Sequence, residues 1–193
     1  MANVRQKRMS TETLVLGAIM TALVIILQML GAFKLGPFQI ALVLIPIVIG
    51  AAKCGYGIGA WLGFIFGMVV LLNGDAAAFY AVNVPGTIIT VLVKGTACGL
   101  VAGLVYKLLE KRNRFLAVLC AAISCPIVNT GVFLLGCVLF FFETIASWGA
   151  GEGYANAVTY MFLGLAGGNF LVELVSNIVL SPIIVRLLDI KVK

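Results

Sequence analysis

Long apolar runs separated by short polar segments dominate this chain of 193 residues. A helix needs about 20 predominantly apolar residues to cross the hydrocarbon core of a bilayer. Six runs approach that length, and they predict transmembrane helices over about residues 14–31, 38–52, 56–72, 85–108, 115–142 and 160–188. The pattern therefore predicts an all-α integral membrane protein, with six transmembrane helices in one domain that covers residues 1–193.

Two prolines lie where they affect the predicted helices. Pro46 falls inside the second run, which is short, so we expect a kink or a tilt there. Pro85 opens the fourth run, where a proline in the first turn is favourable. Residues 107–114 join the two halves of the chain, and this segment predicts a tight loop rather than a linker between domains.

Composition restricts the classes of protein to which the chain can belong. Hydrophobic residues make up 63% of the chain and charged residues only 10%, whereas soluble domains carry roughly 25% charged residues. One small core cannot bury that much apolar surface, so lipid is the solvent that suits most of the chain. A soluble enzyme, a nucleic-acid-binding domain and a secreted disulfide scaffold are therefore excluded, and no nucleic-acid partner is expected.

The basic residues predict how the chain lies across the membrane. The net charge is +6, and with six crossings eleven of the 13 basic residues fall on the side of both termini. Lys34 falls on the opposite side, and Lys94 lies inside the fourth run. Because basic loops stay on the cytoplasmic side, both termini are predicted to be cytoplasmic. The first run is longer than the apolar core of a signal peptide and lacks a good cleavage site, so we expect it to be retained.

Residues that usually carry catalysis or metal binding are scarce. The chain has no histidine, and its five cysteines show no C-x-x-C spacing, so the cysteines are predicted to be small packing residues. Neither a phosphate-binding glycine loop nor a catalytic motif occurs in the sequence. We therefore expect no enzyme activity, no metal site and no cofactor on this chain. If the protein transports a solute against its concentration gradient, we expect the energy to come from another protein chain.

Polar side chains inside the apolar runs are candidates for a binding site, because such groups are costly in a membrane interior. Lys94 lies in the fourth run, Asn129 in the fifth, and Asn169 with Glu173 in the sixth. A buried ammonium group needs an anion or several oxygens. Two candidates are the Glu173 carboxylate, in a structural pair, and the carboxylate of a bound substrate. Asn169, Glu173 and Asn177 are spaced by four residues and share one helical stripe. Their amides either bind a ligand or link helices.

Residues 73–83 form the most unusual loop in the sequence. This segment is too apolar for a freely solvated loop and too polar for a transmembrane helix. We expect it to fold back over the bundle and cover a cavity, with residues 32–39 acting as a second lid; the alternative is two ordinary connections. Asp75, Tyr80 and Asn83 in this segment join the candidate binding residues.

Small residues repeat at four-residue spacing in three of the runs. These rows are Gly59, Gly63 and Gly67; Gly95, Gly99 and Gly103; and Ala18 with Ala22. Small residues at this spacing let helix backbones approach closely in a membrane. The glycine rows are predicted to pack inside the bundle, whereas the alanine pair either does the same or meets a partner helix.

Several of these segments resemble one known family, the substrate-binding S components of energy-coupling factor (ECF) vitamin transporters. That family carries an A-x-x-x-A motif in its first helix, which corresponds here to residues 18–22. Residues 44–50 and 83–87 look closest to the pantothenate- and riboflavin-type branch of the family. The resemblance covers nearly the whole chain, including the six predicted helices and the cytoplasmic termini.

The resemblance implies a function and a set of partners. An S component would bind a vitamin tightly near the outer face of a bacterial plasma membrane and dock through Ala18 and Ala22 on a transmembrane coupling subunit. It would then tip over in the membrane and release the vitamin inside. Two ATPase subunits of the complex would bind the ATP. The regions that bind the vitamin in this family correspond here to the surroundings of Asn83, Lys94, Asn129 and Asn169.

Two positions narrow the choice of vitamin. Riboflavin-type members carry an asparagine followed three residues later by a lysine, whereas here Asn169 is followed by Val172, which disfavours riboflavin. A buried ammonium at Lys94 favours an acidic ligand, and pantothenate offers a carboxylate, an amide and hydroxyl groups. Pantothenate is the prediction. The alternatives are riboflavin or another vitamin, a self-sufficient small transporter or channel, and a structural membrane subunit.

Overall fold

The chain folds into helices joined by short connections and one β-hairpin, in a computed structural model that describes residues 10–30, 33–35, 38–40 and 42–189. In chain order the elements are α1 (Thr11–Met29), β1 (Phe33–Leu35), β2 (Phe38–Ile40), α2 (Leu44–Cys54), α3 (Tyr56–Leu72), α4 (Ala77–Tyr80), α5 (Val84–Leu109), α6 (Arg114–Phe140), α7 (Phe142–Gly151), α8 (Ala157–Thr159), a π-helix (Tyr160–Gly167) and α9 (Gly168–Asp189). The last three helical elements follow one another without a break and include a long apolar helix, Ala157–Arg186.

Polar caps and a glycine explain several of the helix ends. The side chain of Ser10 accepts a hydrogen bond from the Thr13 N–H at the start of α1, and Asn113 accepts one from the Leu116 N–H at the start of α6. These caps satisfy N–H groups that have no partner within the helix. Gly55 separates α2 from α3 with a φ of 91°, in the left-handed region that favours glycine.

Four described helices are long and apolar enough to cross a membrane: α1, α5, α6 and Ala157–Arg186. The other two apolar helices, α2 and α3, have 11 and 17 residues. At 1.5 Å per residue α2 is about 17 Å long, which is shorter than the roughly 30 Å of a hydrocarbon core. The described chain therefore has six apolar helices in the predicted order, of which four reach full membrane-spanning length.

The second predicted helix is wrong at its start, where the described residues belong to a short β-hairpin. The helical class of the fold is confirmed. Residues 38–40 form strand β2, and α2 begins only at Leu44. β1 and β2 pair in antiparallel register, with Phe33 opposite Ile40, and β2 lies beside α9. The hairpin forms because backbone N–H and C=O groups that leave a helix need other partners. The proposed lid over residues 32–39 lies partly outside the described residues.

Pro46 does not play the role that its position in the predicted helix indicated. It lies in the first turn of α2, where the backbone N–H of any residue would lack a helical partner. The proline therefore removes no hydrogen bond from α2, and the expected kink has no cause there. Prolines inside helices are instead Pro126 in α6 and Pro182 in α9.

The fifth and sixth apolar runs also differ from their predicted bounds. α6 ends at Phe140 and α7 begins at Phe142, because Phe141 leaves the helical conformation with a φ of −135° and a ψ of 8°. The sixth run is already helical at Ala157, and part of it winds as the π-helix. Apolar residues continue across each of these changes, so the hydrophobic pattern does not mark them.

The helices α3 and α5 are so close at their contact that a side chain in place of a glycine would overlap the backbone of the facing helix. A Cβ added at Gly63 would overlap the carbonyl oxygen of Gly95, and a Cβ added at Gly99 would overlap that of Gly59. The prediction that the glycine rows pack inside the bundle is confirmed. These rows set the distance between the two helix axes.

Two clusters of buried side chains make up the interior. The larger one joins α1, α2, α3, α5, α6 and α9, and the smaller one joins the end of α6 to α7, α8 and the π-helix. All five cysteines are free thiols and three of them are buried, as expected of packing residues. Of the four long helices α1 is the least enclosed, with 11% of its apolar stretch buried.

We predict that Gly63→Ala destabilises the bundle by about 1–3 kcal/mol, because the added methyl group forces α3 away from α5. Thermal unfolding in detergent measures the effect. Gly57→Ala is the matched control in the same helix, since an added Cβ there has no neighbour within 4 Å. The control should be neutral or gain up to about 1 kcal/mol. Equal losses in both variants would contradict the close contact of the two helices.

Candidate ligand-binding cavity

A cavity of about 220 Å³ lies between the bundle helices and the segment that follows α3. Its polar lining residues are Gln28, Asp75, Lys94, Asn129, Thr130, Asn169 and Glu173. Its aromatic lining residues are Phe66, Phe79, Phe133 and Phe170. A concave site with a largely apolar wall and a few convergent polar groups is the usual form of a small-molecule site.

Lys94 places a cation in the wall of this cavity. It lies in α5 ten residues after Val84, which is about 15 Å along the helix. Its Nζ lies 5.8 Å from the ring centroid of Phe66 and 5.3 Å from that of Phe133. Two ring faces stabilise an ammonium group, but only partly replace the water that it loses on burial. An anion or several oxygens would supply the remaining stabilisation.

Glu173 and Asn129 form the opposite part of the polar wall. Asn129 in α6 is 6% exposed, and it lines the cavity together with Glu173 of α9. The side-chain oxygen of Asn129, Oδ1, has no hydrogen-bond partner among the described residues. The Glu173 carboxylate lines the same cavity as the Lys94 ammonium. The arrangement is therefore compatible with both interpretations of Lys94. Its ammonium can pair with Glu173, or it can bind an anionic group of the ligand.

The loop over residues 73–83, here called the roof loop, closes one side of the cavity. Asp75 Oδ2 accepts a hydrogen bond from Gln28 Nε2 at 2.7 Å and one from Asn73 Nδ2 at 2.8 Å. Asn73 Nδ2 also lies 3.4 Å from the backbone oxygen of Gln28. The roof loop is thus joined to the last turn of α1 by side chains, and its prediction as a segment folded back over a cavity is confirmed.

The other side of the roof loop is held by aromatic rings. Phe79 in α4 packs edge-on against Phe133 at 5.6 Å, Phe141 at 5.1 Å and Trp148 at 5.7 Å between ring centroids. Edge-to-face contacts at these distances stabilise beyond the burial of area alone. Trp148 itself packs against the smaller of the two buried clusters.

The structure brings five of the seven predicted binding residues to one cavity. These are Asp75, Lys94, Asn129, Asn169 and Glu173. Tyr80 packs against the main core cluster instead. Asn83 caps α5, where its side chain accepts a hydrogen bond from the Gly86 N–H at 3.0 Å. Ligand contact stays a prediction for all seven residues.

Sequence reasoning missed Gln28 and the phenylalanines of the wall. Gln28 is a polar residue near the end of the first apolar run, so the rule that selected Asn129 would also have selected it. Phe66 and Phe133 carry no such signal, because phenylalanine is common in any apolar helix. Asn177, on the same stripe as Glu173, is buried and donates to the Glu173 backbone oxygen at 2.8 Å.

The alanine pair of α1 lies on the outside of the protein. Ala18 and Ala22 are both exposed, and they share that face with Val15 and Ile19, which are 53% and 51% exposed. Gly17, on the other face, is buried against Ile58. The structure thus leaves the alanine pair available to a partner helix, while docking itself stays a prediction.

The cavity has the chemistry of a binding site. The sequence has no histidine, and the described residues contain no group of three or more side chains that could hold a metal ion. What the wall offers is one ammonium, two carboxylates, amides and ring faces. Groups of these kinds can recognise a small polar molecule through charge and hydrogen bonds.

Comparison with known proteins places this fold in a family. The model for "ECF transporter, substrate-specific component" matches residues 12–185. The structure is similar to that of ThiT from Listeria monocytogenes, with a TM-score of 0.62 and 21% sequence identity, over 90% of this chain and 93% of that one. At that identity the likeness shows the fold. No curated protein sequence matches the chain.

The family match extends over almost all of the chain and includes every helix that lines the cavity. Members of this family are membrane proteins that bind a transport substrate, and they are not enzymes. This protein belongs to the substrate-specific components of ECF transporters.

Proposed function

We propose that this protein binds a compact anionic vitamin in the cavity, with pantothenate as the first candidate. The observation that carries the proposal is the ammonium of Lys94, held among ring faces in the wall. A carboxylate of the ligand would complete the stabilisation of this cation. The amides of Asn129 and Asn169 can donate and accept together, which suits the amide and hydroxyl groups of pantothenate.

A cationic aromatic vitamin such as thiamine is the second candidate. Asp75 and Glu173 put two carboxylates in the same wall as Lys94, and the phenylalanines offer ring faces for stacking. The similarity to ThiT supports this candidate only to the extent that the two proteins share a fold. Riboflavin is disfavoured because Val172 stands where the riboflavin-type members carry a lysine.

The proposal includes the arrangement in the membrane. Although α2 alone is shorter than the hydrocarbon core, we infer that the chain crosses a bacterial plasma membrane six times, at α1, α2, α3, α5, α6 and Ala157–Arg186. Both termini then lie in the cytoplasm, together with eleven of the 13 basic residues. The roof loop and Asp75 would face outward. The cavity would therefore receive its ligand from outside the cell.

The partners would be a transmembrane coupling subunit and two ATPase subunits that bind the ATP. The exposed face of α1 around Ala18 and Ala22 supports this part of the proposal, because small residues let a partner helix approach closely. A self-sufficient transporter or channel would instead take up the vitamin without these subunits.

The ligand is tested by mass spectrometry of the molecule that copurifies in mild detergent, followed by titration with pantothenate and thiamine. We predict that Lys94→Gln weakens pantothenate binding roughly tenfold to a hundredfold, because a hydrogen bond to a charged group is lost. Lys107→Gln is the matched control: Lys107 is also in α5 and also lies over a ring, that of Tyr56 at 5.0 Å, away from the cavity. It should bind normally.

Two results would change this assignment. Unchanged affinity in Lys94→Gln would remove Lys94 from the ligand site and leave it as a structural partner of Glu173. If thiamine binds more tightly to Lys94→Gln, the ligand would be assigned as a cation instead of an anion, because the variant removes a positive charge that repels thiamine.

We predict that Ala18→Trp leaves vitamin binding by the isolated protein intact and abolishes uptake by the complete transporter, because the indole blocks the close approach of a partner helix. Binding in detergent and uptake in reconstituted vesicles are compared. Val179→Trp is the control on α9, at a position that is 65% exposed; it should affect neither. Equal loss of binding and uptake in Ala18→Trp would count against docking through this face.

A further inference from the structure

The π-helix lies where the chain passes from one group of neighbours to another. At its start, Tyr160 and Met161 belong to the smaller buried cluster, which includes part of α7. Directly after it, Asn169, Phe170 and Glu173 of α9 line the cavity. One continuous helix therefore has to present its interior face to a different partner at each end of the π-helix.

The spacing of the interior residues changes within this segment. Tyr160 and Met161 are buried, and the next interior pair, Leu165 and Ala166, follows five residues later in the wall of the cavity. Asn169 then follows Leu165 by four residues, as in a regular α-helix. Because a π-helix closes its hydrogen bonds over five residues and an α-helix over four, the segment holds about one residue more than an α-helix between the same end points.

The upstream end of the π-helix is held against α7 by Tyr160. A Cβ added at Gly149 of α7 would lie 2.8 Å from the Cβ of Tyr160, and one added at Gly164 would lie 2.5 Å from the Tyr160 ring. The same ring lies 5.1 Å from that of Tyr154 between centroids. These contacts fix the orientation of Tyr160, so the upstream end of the π-helix cannot rotate freely.

The downstream end of the π-helix requires a glycine. A Cβ added at Gly167 would lie 2.5 Å from the backbone oxygen of Phe162, five residues earlier. Backbone atoms cannot turn aside as the end of a side chain can, so any larger residue at this position would force the turn to change. Gly167 is therefore what the wide turn needs in order to form.

A regular α-helix in this segment would misdirect the wall of the cavity. If the same residues became α-helical while Tyr160 stayed on α7, α9 would turn by about 100° around its axis, which is the share of one residue in a turn of 3.6. Phe170 would leave the wall, and Asn169 and Glu173 would point away from their present directions by the same angle.

We propose that the π-helix directs the polar stripe of α9 toward the ligand, and that Gly167 is the positioning residue on which this depends. Gly167 acts through the orientation of Asn169, Phe170 and Glu173. This inference rests on the proposed function in taking the cavity as the binding site, whereas the extra residue in the π-helix is tested without a ligand.

Two single-residue deletions provide that test. Leu163 in the π-helix and Val179 in α9 are both 65% exposed, so neither deletion removes a buried side chain. Deleting Leu163 should let the segment become α-helical with both ends in place, and the Tm in detergent should stay within about 4 °C of the native value. Deleting Val179 turns the buried Ser181 and Ile184 out of the core and should lower the Tm by roughly 10 °C or more. Equal losses would show that the π-helix holds no extra residue and would overturn the proposal.

The role of Gly167 is tested by titration with pantothenate and, in parallel, with thiamine. Gly167→Ala should weaken binding of the vitamin that the native chain binds by roughly tenfold or more, because a binding group turned by much more than 10–20° no longer meets its ligand. Gly131→Ala is the matched control in α6, which also lines the cavity; an added Cβ there has no neighbour within 4 Å, and binding should be unchanged.

Combining Gly167→Ala with the deletion of Leu163 provides a rescue. An α-helix that is one residue shorter places α9 as the π-helix does, so affinity should return to within about threefold of the native value. A general loosening of the fold by alanine would not be repaired by a deletion.

Two binding results would overturn the role of Gly167: native affinity in folded Gly167→Ala, and failure of the deletion to restore affinity. If neither vitamin binds the native chain, the proposed function fails with these ligands. The Tm values of the two deletion variants still decide whether the π-helix holds an extra residue, so the two failures are distinguishable.

Discussion

The backbone contact between α3 and α5 is the constraint on which the rest of the structure depends. Gly63 lies directly against Gly95, and a side chain at either position would push the helices apart. The same contact brings Phe66 of α3 over Lys94, the residue beside Gly95. The packing that holds the bundle together therefore also directs Lys94 among rings and away from lipid.

The distribution of polar groups follows from the solvent. The outside of the helices is apolar, as at Leu163 and Val179, each 65% exposed, whereas ammonium, carboxylate and amide groups meet inside. Charged groups are costly in hydrocarbon and are tolerated where they meet each other or a ligand. Among the described residues, one lysine and two carboxylates consequently line the same cavity.

Helix α1 contributes both to the cavity and to the outer surface of the bundle. Its last turn holds the roof loop through Gln28, and its outer face exposes Ala18 and Ala22. It is also the least enclosed of the four long helices. One helix therefore joins the lining of the cavity to an exposed apolar face.

Much of the site was predictable, because a charged or amide side chain within an apolar run is costly in a membrane and therefore indicates a binding or a structural role. Lys94, Asn129, Asn169 and Glu173 were selected on that ground and meet in the cavity. Asn83 was selected for its place in the unusual loop, and it caps α5, because an asparagine that precedes a helix has a local use as well. The pairing of Gln28 with Asp75 joins positions 47 residues apart, and no local pattern reports such a distance.

The sequence by itself determined the apolar helices, their order, the glycine rows and the choice of lipid as solvent, since hydrophobicity and small-residue spacing are local properties of the chain. Only the tertiary structure decided that β2 replaces the start of the second helix and that Phe141 ends α6. It also decided which side chains enclose the cavity. Those outcomes depend on which elements become neighbours, and that follows from packing across the whole bundle.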